Sequence, residues 1–199
     1  MAGRPQRARR ESFAERRERR AAIDDPEIVL NAAARFLEAR SRSTAEVRRH
    51  LQRAGYREEL VAAAVARLVQ LGMLDDETFA RLWVESRDRA RPRSESALRR
   101  ELALKGIDRD LAAEVMDERR TRADENNAGG EKAGPDLAAA SRLLAKKSAS
   151  LARVADPRER RRRAYSLLAR NGFDPETCRE AVERWLAAQE DDGTDVEAD

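Results

Sequence analysis

Few residues in this chain of 199 are of a type and spacing suited to catalysis or metal binding. The single histidine, His50, and the single cysteine, Cys178, lie far apart in the sequence, so they do not form a zinc-like ligand cluster. A surface histidine and a packed thiol are the simplest interpretations of the two. We therefore expect no bound metal and no cofactor.

The 38 carboxylates are equally uninformative about catalysis. They are scattered over predicted helix surfaces, and none has an apolar setting that would shift its pKa for acid-base chemistry. A phosphate-binding P-loop, a nucleophile elbow and a dinucleotide fingerprint are all absent from the sequence. We predict that the chain is not an enzyme and acts by binding.

Arginine is the residue type whose pattern suggests a binding surface. Arg87 and Arg91 are four residues apart, on one face of a predicted helix, and basic residues continue to Gly106. Guanidinium groups bind phosphates and carboxylates through paired hydrogen bonds. Because acidic residues are interspersed, a solvated helix face is the alternative interpretation. The candidate partner- or DNA-binding residues are Arg48, Arg49, Arg87, Arg89, Arg91, Arg93, Arg99, Arg100 and Lys105.

The composition limits what kind of core can position these residues. Apolar residues make up 41% of the chain but aromatic residues only 4%, which favours thin cores between short helices. The net charge is +3, yet residues 1–20 hold eight arginines and three glutamates (8 − 3 = +5), and residues 189–199 hold six acids and no base. With a pI near 9.4, this distribution suggests an acidic partner, although a highly charged surface alone also accounts for it.

A repeated pattern of helix starts and stops predicts an all-α fold. Asp, Ser or Pro precedes each apolar-periodic segment, as expected for helix N-termini, and no run alternates with the period of a strand. Gly55, Gly106 and Gly172 each follow a leucine by four residues and precede an apolar residue. Such self-similarity is typical of stacked helical units, here three helix-turn-helix-like units of three helices each.

The domain organisation follows from this register. We predict a disordered Arg-rich tail (1–24), a first three-helix repeat (25–73), a second (74–122), a flexible linker (123–134), a third repeat (135–188) and a disordered acidic tail (189–199). Stacking of the three repeats predicts an elongated, curved arrangement. The lone cysteine suits a reducing compartment, and no apolar run approaches the ~20 residues that span a bilayer. We therefore expect a cytoplasmic protein that does not enter membranes, and nothing in the sequence requires more than a monomer.

Several motifs resemble those of a known family. The segment LGMLDDETFA (71–80), the pair Arg87 and Arg89, the segment ELALKGI (101–107) and the segment LARNGF (168–173) are similar to those of the RecX family of recombinase regulators. The resemblance covers about residues 26–188 and is most specific in the middle repeat. One departure is Ser94, at a position where the family often has glycine.

The resemblance implies a protein that binds the RecA recombinase or its nucleoprotein filament. It further implies modulation, usually inhibition, of ATPase, strand-exchange and co-protease activities, and thus of DNA repair, recombination and the SOS response. Two alternatives remain open from the residues themselves. One is a stand-alone helical DNA-binding module, with direct contact to single- or double-stranded DNA, and the other is a repeat scaffold for an unrelated protein.

Overall fold

The computed structural model describes residues 11–126 and 134–194, and all regular structure within these ranges is α-helical. The helices are α1 (Phe13–Ala21), α2 (Pro26–Glu38), α3 (Thr44–Ala54), α4 (Glu58–Gln70), α5 (Asp76–Ala90), α6 (Glu95–Lys105), α7 (Arg109–Asn126), α8 (Pro135–Ala152), α9 (Pro157–Arg170) and α10 (Pro175–Thr194). The predicted all-α class is confirmed. The three predicted repeats correspond to α2–α4, α5–α7 and α8–α10.

The chain divides into two compact units, Met1–Phe79 and Ala80–Asp199. The first unit contains α1 to α4 and the beginning of α5. The second contains the remainder of α5 and helices α6 to α10. Each unit is described by itself below.

The recurring leucine and glycine of the sequence pattern form the C-terminal caps of α3, α6 and α9. Gly55, Gly106 and Gly172 have φ of 101°, 79° and 90°, a left-handed conformation that glycine adopts without steric cost. The amide of the residue after the glycine donates to the carbonyl of the leucine four residues before the glycine. The N···O distance is 3.3 Å in α3, 3.0 Å in α6 and 3.4 Å in α9. This is the Schellman arrangement, which pairs the otherwise unsatisfied carbonyls at a helix end.

The helix starts are capped by the residues that the sequence pattern indicated. Ser43 accepts a hydrogen bond from the Glu46 amide, and the Glu46 carboxylate accepts one from the Ser43 amide, which is a capping box. Asp25, Asp156 and Asp174 cap α2, α9 and α10 through their carboxylates. Because these hydrogen bonds satisfy the first amides of short helices, they fix where each helix begins.

Each repeat buries a small core of aliphatic side chains. The first repeat encloses a cluster that includes Val47, Leu51, Val61 and Leu68, all with 0% exposure. The third repeat encloses thirteen buried residues around Leu144 and Leu168. The buried apolar residues of the second repeat include Phe79, Ala80, Val84, Ala97, Leu98, Leu102, Ile107, Ala112, Val115 and Met116. With few aromatic side chains to fill a thick core, the chain instead buries aliphatic side chains in several thin cores.

The structure differs from the sequence-based boundaries at three places. Residues 13–21, predicted to be part of a disordered tail, form α1, which a capping box at Ser12 and Glu15 initiates. Helix α7 continues to Asn126, into the segment predicted as a linker, and α10 continues to Thr194, into the predicted acidic tail. Residues 1–10, 127–133 and 195–199 lie outside the described residues.

Close packing against Gly55 explains why α1 forms on this surface. A Cβ atom at Gly55 would lie 2.4 Å from Arg17 Cγ and 2.9 Å from the Arg17 carbonyl oxygen, so α1 rests directly on the glycine backbone. Arg20 donates to the Ala54 carbonyl at 3.4 Å and lies 5.6 Å from the centroid of the Tyr56 ring. The highly charged composition of α1 concealed this anchor, which depends on a backbone approach rather than on an apolar stripe.

A comparison of two of the positive-φ glycines, Gly172 and Gly72, allows steric fit to be tested separately from backbone strain. A Cβ at Gly172 would lie 2.8 Å from Ala97 Cβ and 2.9 Å from Ser94 Oγ, whereas one at Gly72 would contact nothing within 4 Å. We expect Gly72→Ala to cost about 1 kcal/mol through φ alone. Gly172→Ala should cost about 1–3 kcal/mol more, because packed neighbours must move. Urea unfolding followed by circular dichroism measures both, and equal losses would contradict the close packing at Gly172.

Candidate partner-binding surface

The start of α6 is the point where several elements of the second unit meet. Ser94 is 1% exposed and caps α6 by accepting from the Ala97 amide at 3.2 Å. Its hydroxyl donates to the Gly172 carbonyl at 2.7 Å, at the end of α9. Ser94 has φ of −66°. A serine is therefore accommodated at this position without strain, and it contributes a hydrogen bond that glycine would lack.

An aspartate from the following repeat completes the cap of α6. Asp136, in the first turn of α8, accepts from the Glu95 amide at 2.9 Å. The first unit contains the same arrangement, because the Thr44 amide at the start of α3 donates to Asp76 Oδ1 at 2.8 Å. In both cases the amide directly after the capping serine is paired with an aspartate outside its own helix. We refer to these two hydrogen bonds as the serine–aspartate joints, because the donating amide directly follows the capping serine.

Arg119 is the one arginine in the described chain that is almost fully buried, with 4% of its surface exposed. It donates to both carboxylate oxygens of Asp88 at 3.0 Å and to Asp136 at 2.9 Å, and also to the Arg93 carbonyl at 3.2 Å. We name Arg119, Asp88 and Asp136 the Arg119 cluster. It connects α5, α7 and α8, and sequence reasoning missed it because nothing in the local sequence distinguishes Arg119 from its exposed neighbour Arg120.

A second cluster occupies α5 and α6 around Trp83. The indole Nε1 of Trp83 donates to Glu101 Oε2 at 2.9 Å, and Arg87 Nε donates to the same oxygen at 2.6 Å. Arg87 Cζ and Lys105 Nζ lie over the indole ring, 4.3 Å and 4.5 Å from its centroid. We name these four residues the Trp83 cluster. Cation–π contact and the shared carboxylate hold Arg87 and Lys105 in place, so both have structural partners within the unit.

Two further candidate arginines have carboxylate partners. Arg99 pairs with Glu95 at 2.9 Å across one helical turn, and Arg93 Nε lies 3.4 Å from Glu101 Oε1. Burial opposes ionisation of Glu95, but hydrogen bonds from Arg120 and Arg99 hold its pKa below the ordinary value. Much of the charge of Arg87, Arg93 and Arg99 is thus neutralised within the unit.

The other candidates are exposed. Arg48, Arg49, Arg89, Arg91 and Arg100 all have exposed side chains. Arg49 Nε donates to the Ala45 carbonyl at 3.1 Å. Arg48, Arg91 and Arg100 have no ion pair to any residue in the described ranges, and Arg89 contributes only its backbone carbonyl, which accepts from Lys146. The sequence-predicted set therefore separates into residues that stabilise the fold and residues whose guanidinium groups face solvent.

Two large apolar side chains that adjoin members of the Trp83 cluster in the sequence are exposed. Leu82 is 52% exposed beside Trp83, and Leu104 is 75% exposed beside Lys105. Large aliphatic side chains on an otherwise charged surface are typical of contact points for another macromolecule. Arg100 lies one turn before Leu104 on α6, so these two exposed side chains give α6 a mixed basic and apolar face.

A basic groove in the third repeat was not among the predicted residues. It has a volume of about 490 Å³ and is lined by Lys147, Arg162, Arg163 and Arg170, among others. The Glu159 carboxylate pairs with Arg163 at 2.8 Å, and this hydrogen bond lowers its pKa. The arginine run 160–163 was the sequence signal, but it did not reveal that helices α8 and α9 bring Lys147 and Arg170 to the same groove.

The residues first considered for chemistry occupy the expected positions. Cys178 is a free thiol with 0% exposure, and burial raises its pKa, while His50 is exposed on α3. Within the described residues, no three His, Cys, Asp or Glu side chains are grouped to hold a metal ion. None of the helices there has the length and apolar character to cross a bilayer.

Comparison with protein families identifies all three repeats. Three family models match the chain. The model described as "RecX, first three-helix domain" matches residues 30–68, the one for the second three-helix domain matches residues 75–116, and the one for the third matches residues 135–182. The three predicted three-helix repeats are thus confirmed. Helix α1 precedes all three matched segments.

Two relatives illustrate how much of the chain is shared. "Regulatory protein RecX" of Mycobacterium avium is 32% identical over 155 residues, which cover 78% of this chain and 83% of the relative. "Regulatory protein RecX" of Prosthecochloris aestuarii is 32% identical over 162 residues, covering 81% and 96%. A solved structure, the crystal structure of RecX from Lactobacillus salivarius, aligns with a TM-score of 0.57 at 19% identity, covering 81% of this chain and 96% of the other. At that identity the structural match concerns the fold alone.

The Arg119 cluster and its neighbour Arg120 offer a test of buried against exposed ion pairs. Arg119→Met leaves Asp88 and Asp136 without their buried counter-charge, and we expect a loss of about 3 kcal/mol in unfolding free energy. Arg120 pairs with Glu95 and Asp117 but has 45% of its side chain exposed. We expect Arg120→Met to cost at most about 1 kcal/mol. Comparable losses in urea unfolding experiments would show that Arg119 is no more important to the fold than a surface arginine.

Proposed function

Because this chain belongs to the RecX family of regulatory proteins, we propose that it binds the RecA recombinase in its nucleoprotein filament and inhibits it. The proposal covers the ATPase, strand-exchange and co-protease activities, and through them DNA repair, recombination and the SOS response. It also places the protein in the cytoplasm, acting as a monomer. The relatives named as regulatory proteins support the regulatory role.

The observation that carries the proposal is the basic and apolar face of the middle repeat. The best-defined family motif, residues 71–80, leads into α5. Arg91, directly after the end of α5, and Arg100 and Leu104 on α6 are exposed to solvent. Guanidinium groups at this face suit acidic side chains or backbone phosphates, and exposed leucine adds apolar contact. A nucleoprotein filament offers both kinds of acidic group along its length.

A binding mechanism without a deep pocket fits the charge distribution. The three repeats carry separate basic surfaces, including Arg48 on α3, Arg100 on α6 and the groove of α8 and α9. Several modest contacts made at once raise the apparent affinity, because each contact after the first is intramolecular. A regulator of this kind acts by occupying neighbouring subunits rather than by chemistry of its own.

The middle-repeat face can be tested with recombinase stimulated by single-stranded DNA. We expect the wild-type chain to depress ATP hydrolysis at or below equimolar ratios. Arg91→Glu combined with Arg100→Glu should raise the concentration for half-inhibition at least tenfold, because each reversal replaces an attraction with a repulsion worth on the order of 1 kcal/mol.

A matched control separates this effect from net charge. Arg35→Glu combined with Arg179→Glu makes the same change in charge at exposed positions of the first and third repeats. This control should inhibit nearly as well as wild type. Equal impairment by both double variants would remove the middle repeat from the proposal, and a wild-type chain that leaves ATPase unchanged at every ratio would refute the proposed function itself.

A further inference from the structure

Helices α1 and α3 enclose a groove that the proposed regulatory role does not use. It has a volume of about 670 Å³ and is lined by Phe13, Arg17, Arg20, His50, Gln52, Arg53 and Ala54. The α1 residues are spaced four and three apart, so they share one face of that helix. The groove lies wholly in the first unit, and its α1 wall precedes the part of the chain that matches the family.

The aromatic side chains of the groove are exposed in a way that requires explanation. Phe13 has 64% of its surface exposed, and every other Phe, Tyr and Trp in the described residues is buried or half-buried. It is the only bulky apolar residue of α1, and it does not contribute to any core. An exposed phenylalanine at the rim of a groove provides a ring face for a ligand to stack upon.

His50 ends a stack of planar groups at the same groove. The Phe36 and His50 rings are parallel within 2°, with centroids 3.7 Å apart, and Arg42 Cζ lies 4.1 Å from the Phe36 centroid. Two groups so close to one centroid must occupy its opposite faces, which gives the order Arg42, Phe36, His50. Partial burial, together with the charges of Arg42 and Arg20, lowers the pKa of His50 below its ordinary value, which favours the uncharged ring.

The charge of the groove is positive and partly unneutralised. Arg20 is engaged with the Ala54 carbonyl, but Arg17 and Arg53 are exposed and have no carboxylate partner among the described residues. Of the acids in or just before α1, Glu11 pairs with Arg19 at 2.9 Å and Glu15 accepts from the Ser12 amide at 2.7 Å. The third, Glu18, is not among the residues that line the groove. The groove thus combines two guanidinium groups with two ring faces.

We propose that the α1–α3 groove binds a segment of single-stranded nucleic acid, with bases stacked on Phe13 and His50 and backbone phosphates paired with Arg17 and Arg53. Basic grooves with aromatic platforms bind single strands without sequence preference, since every base has a π-face. An acidic peptide would use the arginines but gain little from two exposed rings. A duplex would use the arginines too, but its bases are already stacked on one another and cannot reach the rings.

The binding experiment uses the full chain without recombinase, so its result is independent of the proposed regulation. Fluorescence anisotropy of a labelled oligothymidylate of about 20 nucleotides measures affinity, with a duplex of equal length as the second probe. We expect the single strand to bind more tightly than the duplex. Phe13→Leu keeps an apolar side chain but removes the ring, and it should weaken single-strand binding about fivefold or more.

Salt dependence tests the role assigned to Arg53. Affinity decreases as salt is raised, so the slope of log affinity against log salt is negative. Between about 50 and 200 mM salt this slope should become shallower by about 0.7 in Arg53→Ala, the value for one phosphate contact on a single strand. Arg16→Ala removes the same charge from an exposed position of α1 that does not line the groove, and it should leave the slope nearly unchanged. Circular dichroism verifies that each variant keeps its helices.

Stacking itself can be observed directly with Phe13→Trp. This variant should bind the single strand as tightly as wild type, and the emission of the added indole should be quenched by the bases. Absence of single-strand binding would overturn the proposal, as would tighter or equal binding of the duplex. An equal change in the salt-dependence slope of Arg53→Ala and Arg16→Ala would assign the binding to general charge rather than to this groove. The same conclusion would follow if the tryptophan introduced by Phe13→Trp were not quenched in the bound state.

Discussion

The arrangement of helices depends on one recurring hydrogen bond. The amide of the residue after a capping serine donates to an aspartate that lies outside its own helix. At the start of α6, Asp136 takes the Glu95 amide and at the same time accepts from Arg119. One carboxylate thus accepts a hydrogen bond from the end of α6 and one from the buried guanidinium. Because Asp136 belongs to α8, the same carboxylate connects both groups to the third repeat. Helices of three or four turns are marginal in isolation. They are stable here because their ends are paired and their apolar stripes share thin cores.

The parts of this structure that follow local rules could be predicted from the sequence. The glycine that ends a helix, the leucine four residues earlier and the capping Asp or Ser are determined within about six residues, because the Schellman and capping hydrogen bonds are local. The nine helices of the three repeats followed from them. Helix α1 was missed because its anchor is the backbone of Gly55, and a close backbone approach leaves no periodic signal.

The candidate arginines show why charge patterns predict a surface better than they predict individual residues. Arg87 and Arg91 are four apart and look equivalent in the sequence. In the structure Arg87 contacts Trp83 and Glu101, and Glu101 is fourteen residues away on another helix, while Arg91 faces solvent. Which arginine is neutralised depends on the carboxylate that the fold brings near it. Arg119 and Arg120, adjacent in sequence but buried and exposed respectively, illustrate the same point.

The two serine–aspartate joints have a consequence for how a chain of this kind can change in evolution. The joint from Thr44 to Asp76 closes a loop of 32 residues, and that from Glu95 to Asp136 closes one of 41. By the logarithmic dependence of closure entropy on length, the difference costs only about 0.2 kcal/mol. The joint requires the first turn of the first helix in the next repeat and places no demand on the length of chain before that helix. Insertions between repeats are therefore thermodynamically cheap, and linker length can drift while the repeat itself is retained.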